Sequence, residues 1–487
     1  MNPAVGVAAL VVVSVATAVI GFYGLRISRT TGDFYVASRT VRPWWNASAI
    51  GGEYLSAASF LGVAGLILLS GTDALWFPVG YTAGYLMLLL FVAAPLRRSG
   101  AYTIPDFTEA RLDSRAVRRV TSLVVVVVGW LYIVPQLQGA ALTIRITTGL
   151  PPWVGSAAVV IVVCLTVVAG GMRSITFVQA FQYWLKLTAL AIPVLFIVFT
   201  LAGNGTAAVA PAAVNPSALA PAGAYQNVSL LVALLFGTLG LPHVLVRFYT
   251  NPDGNSARRT TLIVLGLLSV FYLFPTAYGL VGRMFAPELA QSGRADALVL
   301  LLPGQLIGGT AGDLLSALVV SGAFAAFLST TSGLVVSLAG VISQDVLGGG
   351  VRGFRLAAVI SAIVPLGFAV TTDSLALAGS VGLVFAFTAS TVCPVLLLGI
   401  WWRGLTDTGA IAGMVTGAVL CGGAMVCGAA LGAGTPFWLA QPAAWTVPAA
   451  FAVMVFVSWS TKDRIPKTMT RVMTRLHTPE RPLVTER

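Results

Sequence analysis

Residues able to do chemistry are few in this chain, and they gather in two apolar stretches. The first runs from 44 to 69, WWNASAIGGEYLSAASFLGVAGLILL, long enough to cross a bilayer yet interrupted by Gly51, Gly52, Glu53, Ser56 and Ser59. A plain membrane anchor has no use for a carboxyl and two glycines at mid-span. A helix broken there frees backbone carbonyls, which suit a hard cation such as Na⁺. Gly52 and Leu55 are three residues apart and can both offer carbonyl oxygens to one ion. The same glycines would equally let two helices approach closely, and spacing alone does not choose.

The second stretch, 323 to 345, reads AFAAFLSTTSGLVVSLAGVISQD. Ser329 and Thr330 are adjacent hydroxyls, and Ala326 lies one turn back on the same face. Two hydroxyls and a carbonyl make half a sodium shell, although hydroxyls in membrane helices also bond to their own backbone or to a neighbour. Glu53 needs separate weighing. A carboxyl near mid-membrane costs on the order of 3 kcal/mol unless paired or protonated. It can balance the ion's charge, carry a proton or pair with a basic residue such as Arg247; an electrostatic, coupling role from behind the ion is expected.

Other chemistries find little support. The only histidines are His243 and His477, and Cys164, Cys393, Cys421 and Cys427 all lie in apolar runs. No triad, metal-ligand spacing or disulfide framework follows, so an enzyme is not expected. The formal net charge of +12 is scattered through short turns, which argues for membrane topology and against a nucleic-acid surface.

The elements that must position these residues are membrane spans. The chain has 487 residues, 57% hydrophobic and 9% charged, against roughly 25% charged in an average soluble domain. About thirteen spans, each near the length that a hydrocarbon core of roughly 30 Å requires, are predicted over 4–24, 45–70, 74–96, 118–149, 153–171, 176–202, 226–250, 260–284, 311–347, 354–371, 374–402, 408–433 and 442–460. With the N-terminus outside, this map sends 25 of the 28 basic residues to the cytoplasmic side, Lys186 and Arg247 included, and leaves only Arg145, Arg283 and Arg294 outside. The C-terminus is then cytoplasmic. The protein is expected to be an all-α multi-pass protein of a bacterial inner membrane, arginine-rich as in a GC-rich genome.

The second and seventh spans are both interrupted in the middle, at Ile50-Gly51-Gly52 and across 237–242, and they lie five spans apart. An odd offset inverts the second copy, the arrangement by which secondary transporters place a site at mid-membrane. The expected divisions are an extra N-terminal helix and loop over 1–44, a first five-helix repeat over 45–202, an external loop over 203–225, a second repeat over 226–402, two further helices over 403–460 and a basic tail over 461–487, solvated or lying on anionic lipid.

Taken together, the two stretches resemble the sodium:solute symporters. The likeness includes Ala169-Gly170-Gly171-Met172-Arg173-Ser174-Ile175 followed by Gln179 and Gln182, and the closing Gln344-Asp345. It covers roughly residues 30 to 465 and implies the leucine-transporter fold, with its ten-helix core of two inverted five-helix repeats. It also implies a co-transported Na⁺ held by the carbonyls of Gly52, Leu55 and Ala326 and the hydroxyls of Ser329 and Thr330. Within the family the chain looks most like the cation/acetate symporters, through Asp33 to Ala37, Ser56 to Gly62 and Gly240 to Phe248. Two departures are its shorter length and Glu53 where many acetate permeases carry Asp.

A small carboxylate needs hydrogen-bond donors in a dry pocket, supplied by hydroxyls or a half-helix end. Tyr54, Ser56, Ser59 and His243 are the candidates, with Trp76 and Phe387 as apolar walls. The expected activity is Na⁺-coupled import of acetate, propionate or pyruvate. Another small solute, such as an amino acid, or H⁺ in place of Na⁺ stays open. A sensor built on the same scaffold would need a signalling domain, for which the tail has no room.

Overall fold

A computed structural model describes residues 3–27, 31–37, 40–203, 223–371 and 377–479. Nearly all of the predicted external loop, and the last eight residues of the basic tail, lie outside the described residues. Among those described, every regular element is helical. The first helix, α1 (Pro3–Ile27), precedes the core. The predicted second span is two pieces: α2 (Pro43–Tyr54), then a π-helical turn, Ala58–Gly62, leading into α3 (Val63–Ser70). There follow α4 (Trp76–Phe91), α5 (Arg115–Thr148) and α6 (Pro152–Gly203). The predicted seventh span is likewise two pieces, α7 (Ala224–Thr238) and α8 (Pro242–Tyr249). The chain continues through α9 (Gly254–Phe285), α10 (Gly309–Asp345), α11 (Gly350–Thr371), α12 (Leu377–Trp401), α13 (Asp407–Leu431) and α14 (Ala443–Ser460).

Eleven described helical segments are long and apolar enough to span a bilayer. Two of them turn back within themselves. One, Ala58–Phe91, bends through a short 3₁₀ turn at Gly71–Leu75. The other, α6, kinks at Gly171, whose backbone (φ 55°, ψ −152°) is essentially closed to residues with a side chain. Counting both turns gives the thirteen expected crossings. Apolar side chains such as Val12, Phe199, Leu273 and Phe456 point outward, as a lipid-facing surface requires.

The second span breaks, but not at its glycines. Helix α2 runs through Gly51 and Gly52 to Tyr54 and opens only at Leu55, where φ is −74° and ψ is 85°. The glycines serve packing instead: a Cβ on Gly52 would stand 2.1 Å from the Gln179 carbonyl oxygen, and one on Gly51 would stand 2.7 Å from the Tyr183 ring. The backbone N–H of Ala57, freed by the break, donates to Gln136 Oε1 at 2.9 Å. At the other break, Pro242 begins α8, a position where its fixed φ and missing N–H cost nothing.

Two features lie outside the sequence reading. The connection from α9 to α10 holds two short helices, Glu288–Gln291 and Leu298–Leu306. The described part of the tail is not simply solvated: α15 (Met469–His477) buries Met473 and Leu476. Arg98 Nη1 donates to the Leu476 carbonyl at 3.3 Å, and the His477 ring packs on Trp401 at 4.9 Å. Its apolar residues, spaced one helical turn apart, give it a face to bury.

Elsewhere, paired charges tie elements together. Arg173, just past the α6 kink, holds Asp33 at 2.8 Å, joining two of the segments that carried the family resemblance. Arg118 at the start of α5 gathers Asp106 (2.8 Å), Asp345 (2.7 Å) and Glu109.

Gly171→Ala should cost about 1–3 kcal/mol, because the new Cβ meets both a disfavoured backbone and Phe34. Thermal unfolding of the purified protein in detergent should show a lower Tm, and an unchanged Tm would mean that the kink tolerates a side chain.

Candidate substrate and ion site

The last turn of α2 carries Glu53 inward against α8. Its Oε2 lies 2.7 Å from Arg247 Nε, and the two side chains are 1% and 0% exposed. This is the partner the sequence offered for Glu53. Each nitrogen of the Arg247 guanidinium has a partner: besides Nε, Nη1 donates to Thr176 Oγ1 at 2.8 Å and Nη2 to Gln179 Oε1, both on α6. Asn46 Nδ2 donates to the Arg247 carbonyl at 3.1 Å. A single buried ion pair thus joins the inner halves of both broken helices to α6.

Beside it lies the place assigned to Na⁺. The carbonyls of Gly52 and Leu55 do converge with the Ser329 hydroxyl, but they converge on Lys186. Its Nζ donates to Leu55 O at 2.8 Å, to Ser329 Oγ at 3.0 Å and to Gly52 O. Three acceptors are the number that an ammonium, with its three N–H groups, would satisfy one for one. Ser329 Oγ passes its own proton to Ala326 O at 3.1 Å, and Thr330 Oγ1 donates to the Glu53 carbonyl at 2.7 Å. All five expected ligands are therefore brought to one region: three touch the lysine, Ala326 is reached through Ser329, and Thr330 secures the end of α2. Gln179 Nε2 steadies the same stretch of α10 by donating to Ser329 O at 2.9 Å.

Lys186 is the residue that the sequence reading missed. It was counted among the cytoplasmic charges, whereas the structure buries it completely, level with the break in the second span. The signal was available: Lys186 falls inside the predicted span 176–202, and an ionisable residue within a span is a functional candidate by default.

On the solute side, Tyr54, Ser56, Ser59 and His243 are all buried around the break. Tyr54 donates to Tyr81 O or shares a proton with Thr238 Oγ1, each at 3.1 Å. Ser59 meets the Tyr272 hydroxyl at 2.9 Å, and Ser56 lies by the Tyr132 hydroxyl. The His243 ring packs edge-on to Tyr132 at 5.3 Å, and neither of its nitrogens has a hydrogen-bond partner among the described residues. The hydroxyls of Tyr81 and Tyr85 are also buried without one. Rings enclose these groups: Tyr54 sits 4.5 Å from Tyr85, and Phe385 contacts Tyr54, Tyr81 and Tyr132 at 6.4, 5.2 and 5.9 Å.

The two expected walls lie elsewhere. Trp76 is 42% exposed at the start of α4, and Phe387 faces Gly422 of α13. Phe385, two residues from Phe387 and so on the opposite side of α12, takes its place. Tyr81, Tyr85, Tyr132 and Tyr272 lie among other aromatics of apolar helices, Tyr272 next to Phe271 and Tyr132 two residues from Trp130, and nothing in the sequence marks them out from packing residues.

Two broken helices at one depth, from repeats of opposite sense, with paired charge and unpaired polar groups at the breaks, define a membrane transporter. The pattern of the sodium:solute symporter family matches residues 34–417, and the chain belongs to that family. It is 31% identical over 425 residues to the uncharacterized symporter YwcA of Bacillus subtilis, covering 83% of this chain and 82% of that one. Over 461 residues it is 28% identical to a monocarboxylic acid transporter of Corynebacterium glutamicum, covering 86% of this chain and 82% of the relative. Among solved structures, an outward-open, substrate-bound Na⁺-coupled sialic acid symporter superposes with a TM-score of 0.73 at 16% identity, covering 94% and 97% of the two chains. Mhp1, a nucleobase-cation-symport-1 transporter in a closed conformation, gives 0.55 at 14% identity, covering 91% and 98%. The chain has the leucine-transporter fold, and it is a transporter and not an enzyme.

Arg247→Met should be strongly destabilising, by about 3–5 kcal/mol, because it strands the Glu53 carboxylate in a dry interior. The double variant Glu53→Gln/Arg247→Met should recover much of that loss. A double-mutant cycle on Tm in detergent measures the coupling; simple additivity would show that the pair does not act as a unit.

Proposed function

We propose that the protein is a secondary active symporter that imports acetate or a related short monocarboxylate, such as propionate or pyruvate, together with a cation across a bacterial plasma membrane. The observation that carries the solute reading is the set of buried polar groups without protein partners, His243, Tyr81 and Tyr85, inside an aromatic enclosure at the helix breaks. Buried donors of this kind are costly unless a ligand meets them. A carboxylate offers several acceptor sites to such donors, and a short alkyl chain suits the surrounding rings. The monocarboxylic acid transporter among the relatives supports the same cargo.

Transport then follows from the repeat architecture. Solute binding between the two broken helices favours one closure of the bundle over another, and rocking of one repeat against the other exposes the site alternately to each side. The coupled cation raises solute affinity by the same factor by which the solute raises the cation's. The family's description and the Na⁺-coupled neighbour support Na⁺ as that cation; its proposed ligands are Gly52, Leu55, Ala326, Ser329 and Thr330, which lie together at the break. A second reading, H⁺, is favoured by the Lys186 amine standing on three of those residues.

Uptake of labelled acetate, propionate and pyruvate into proteoliposomes, under imposed Na⁺ or H⁺ gradients, tests the function; uptake indifferent to both gradients would exclude symport. Tyr85→Phe should raise the acetate KM about ten- to hundredfold, since a hydrogen bond to a charged group contributes roughly 1.5–3 kcal/mol, while leaving Tm unchanged because the phenol has no hydrogen-bond partner among the described residues. If Tyr81→Phe and Tyr85→Phe both leave KM untouched, the carboxylate does not bind there. Glu53→Gln should impair uptake at every Na⁺ concentration; normal transport by that variant would remove Glu53 from the coupling machinery.

A further inference from the structure

A Na⁺ ion at the break would need the lone pairs of Gly52 O, Leu55 O and Ser329 Oγ. In this structure all three accept hydrogen bonds from Lys186 Nζ. The amine is not a passing neighbour: its side chain is wholly buried, and it arrives from α6, the helix whose Gln179 carbonyl rests against Gly52. An added Na⁺ would share its ligands with a like charge in a medium that screens poorly, so the residues as arranged do not fit the ion.

We propose that the ammonium of Lys186 is the resident cation of this site, covalently supplied in place of Na⁺, and that the chain works without Na⁺ while keeping a latent Na⁺ site beneath the lysine. The inference rests on the reading that the breaks form the transport site, and it refines which ion drives transport. Among the described residues, the charged groups near the amine are those of the ion pair, Glu53 on α2 and Arg247 on α8; α10 meets the amine through the Ser329 hydroxyl, while Thr330 bonds to the Glu53 carbonyl and Ser332 to Gln179. Glu53 is the counter-charge in either case: to an external Na⁺ in a chain lacking the lysine, and to the tethered ammonium here. A charge fixed to the chain cannot leave with the solute. Na⁺ having no seat at the break, a proton gradient is the expected driving force.

The test uses the purified full-length protein, with NaCl exchanged for choline chloride at constant ionic strength. The Tm of the wild type should not respond to Na⁺. Lys186→Ala, which removes the amine and opens space over the three oxygens, should show a saturable rise in Tm with Na⁺, and Lys186→Ala/Ser329→Ala should lose it. Lys186→Met, uncharged but still filling the space, should be as indifferent as the wild type. In proteoliposomes, an inward proton gradient should drive wild-type uptake in Na⁺-free buffer, and an inward Na⁺ gradient alone should not. A saturable Na⁺ response of the wild type, in Tm or in uptake, overturns the proposal. So does a folded Lys186→Ala protein that ignores Na⁺. If Lys186→Ala does not fold, the wild type and Lys186→Met decide: a Na⁺ response in either refutes it, and indifference in both together with proton-driven uptake upholds it. The Tm measurements need no solute, so an error in the cargo assignment would show as absent uptake with the Na⁺ pattern intact.

Discussion

A helix broken inside a bilayer must satisfy its freed backbone groups from within the protein, and the rest of this site follows from that constraint. Where α2 ends, the carbonyls of Gly52 and Leu55 turn to Lys186, and the N–H of Ala57 turns to Gln136. Satisfying carbonyls with an ammonium brings a full charge into a dry region, which requires an anion close by. Glu53 supplies it from one residue beyond Gly52. Arg247, reached across to α8, then needs further acceptors, which Thr176 and Gln179 provide from the same helix that carries Lys186. Each polar group is thus present because of the one before it, and the chain of needs closes on α6.

Close approach makes this network possible. The carbonyl of Gln179 lies where the Cβ of any residue larger than glycine at position 52 would stand, and the Glu53 carboxylate occupies the same kind of space over Gly333, with a built Cβ only 2.1 Å from Oε1. Glycines of α2 and α10 let α6 and the Glu53 side chain come in close at the level where the charges sit. Small-residue contacts of this kind replace, inside a membrane, the hydrophobic drive that holds helices together in water.

These relations explain what the sequence disclosed and what it withheld. The thirteen crossings were legible because each span must carry about twenty apolar residues and because basic residues collect in the turns. The Glu53–Arg247 pair was one of three roles open to Glu53, since an intramembrane carboxylate demands a partner, but Arg247 itself was counted with the cytoplasmic charges and is buried. The meeting of residues 52 and 55 with 329 came through the family resemblance and is present. Lys186 was absorbed into the topology count, although its place within a span marked it as unusual. The aromatic enclosure was not legible at all: Phe385 and Phe387 are equivalent in composition, and only the azimuth of α12 selects the former. The location of the break was shifted for a related reason, since glycine in a membrane helix serves both flexibility and contact, and here contact decided.

The charge balance of the network bears on the cargo. Written as ions, Lys186 and Arg247 against Glu53 leave one positive charge uncompensated in a buried cluster, and α10 adds only neutral groups to it. A buried surplus charge is unfavourable until something of opposite sign approaches. Tyr54, whose ring stands 4.5 Å from that of Tyr85 in the enclosure, directly follows Glu53 of the ion pair in sequence, so the enclosure and the charged cluster are neighbours. A monocarboxylate entering the enclosure would bring the local sum to zero. A neutral sugar would leave the surplus in place, and a dicarboxylate would reverse its sign. If Lys186 keeps its proton there, a tethered cation at the break and a singly charged anion in the enclosure would balance one another, as the proposed cargo requires.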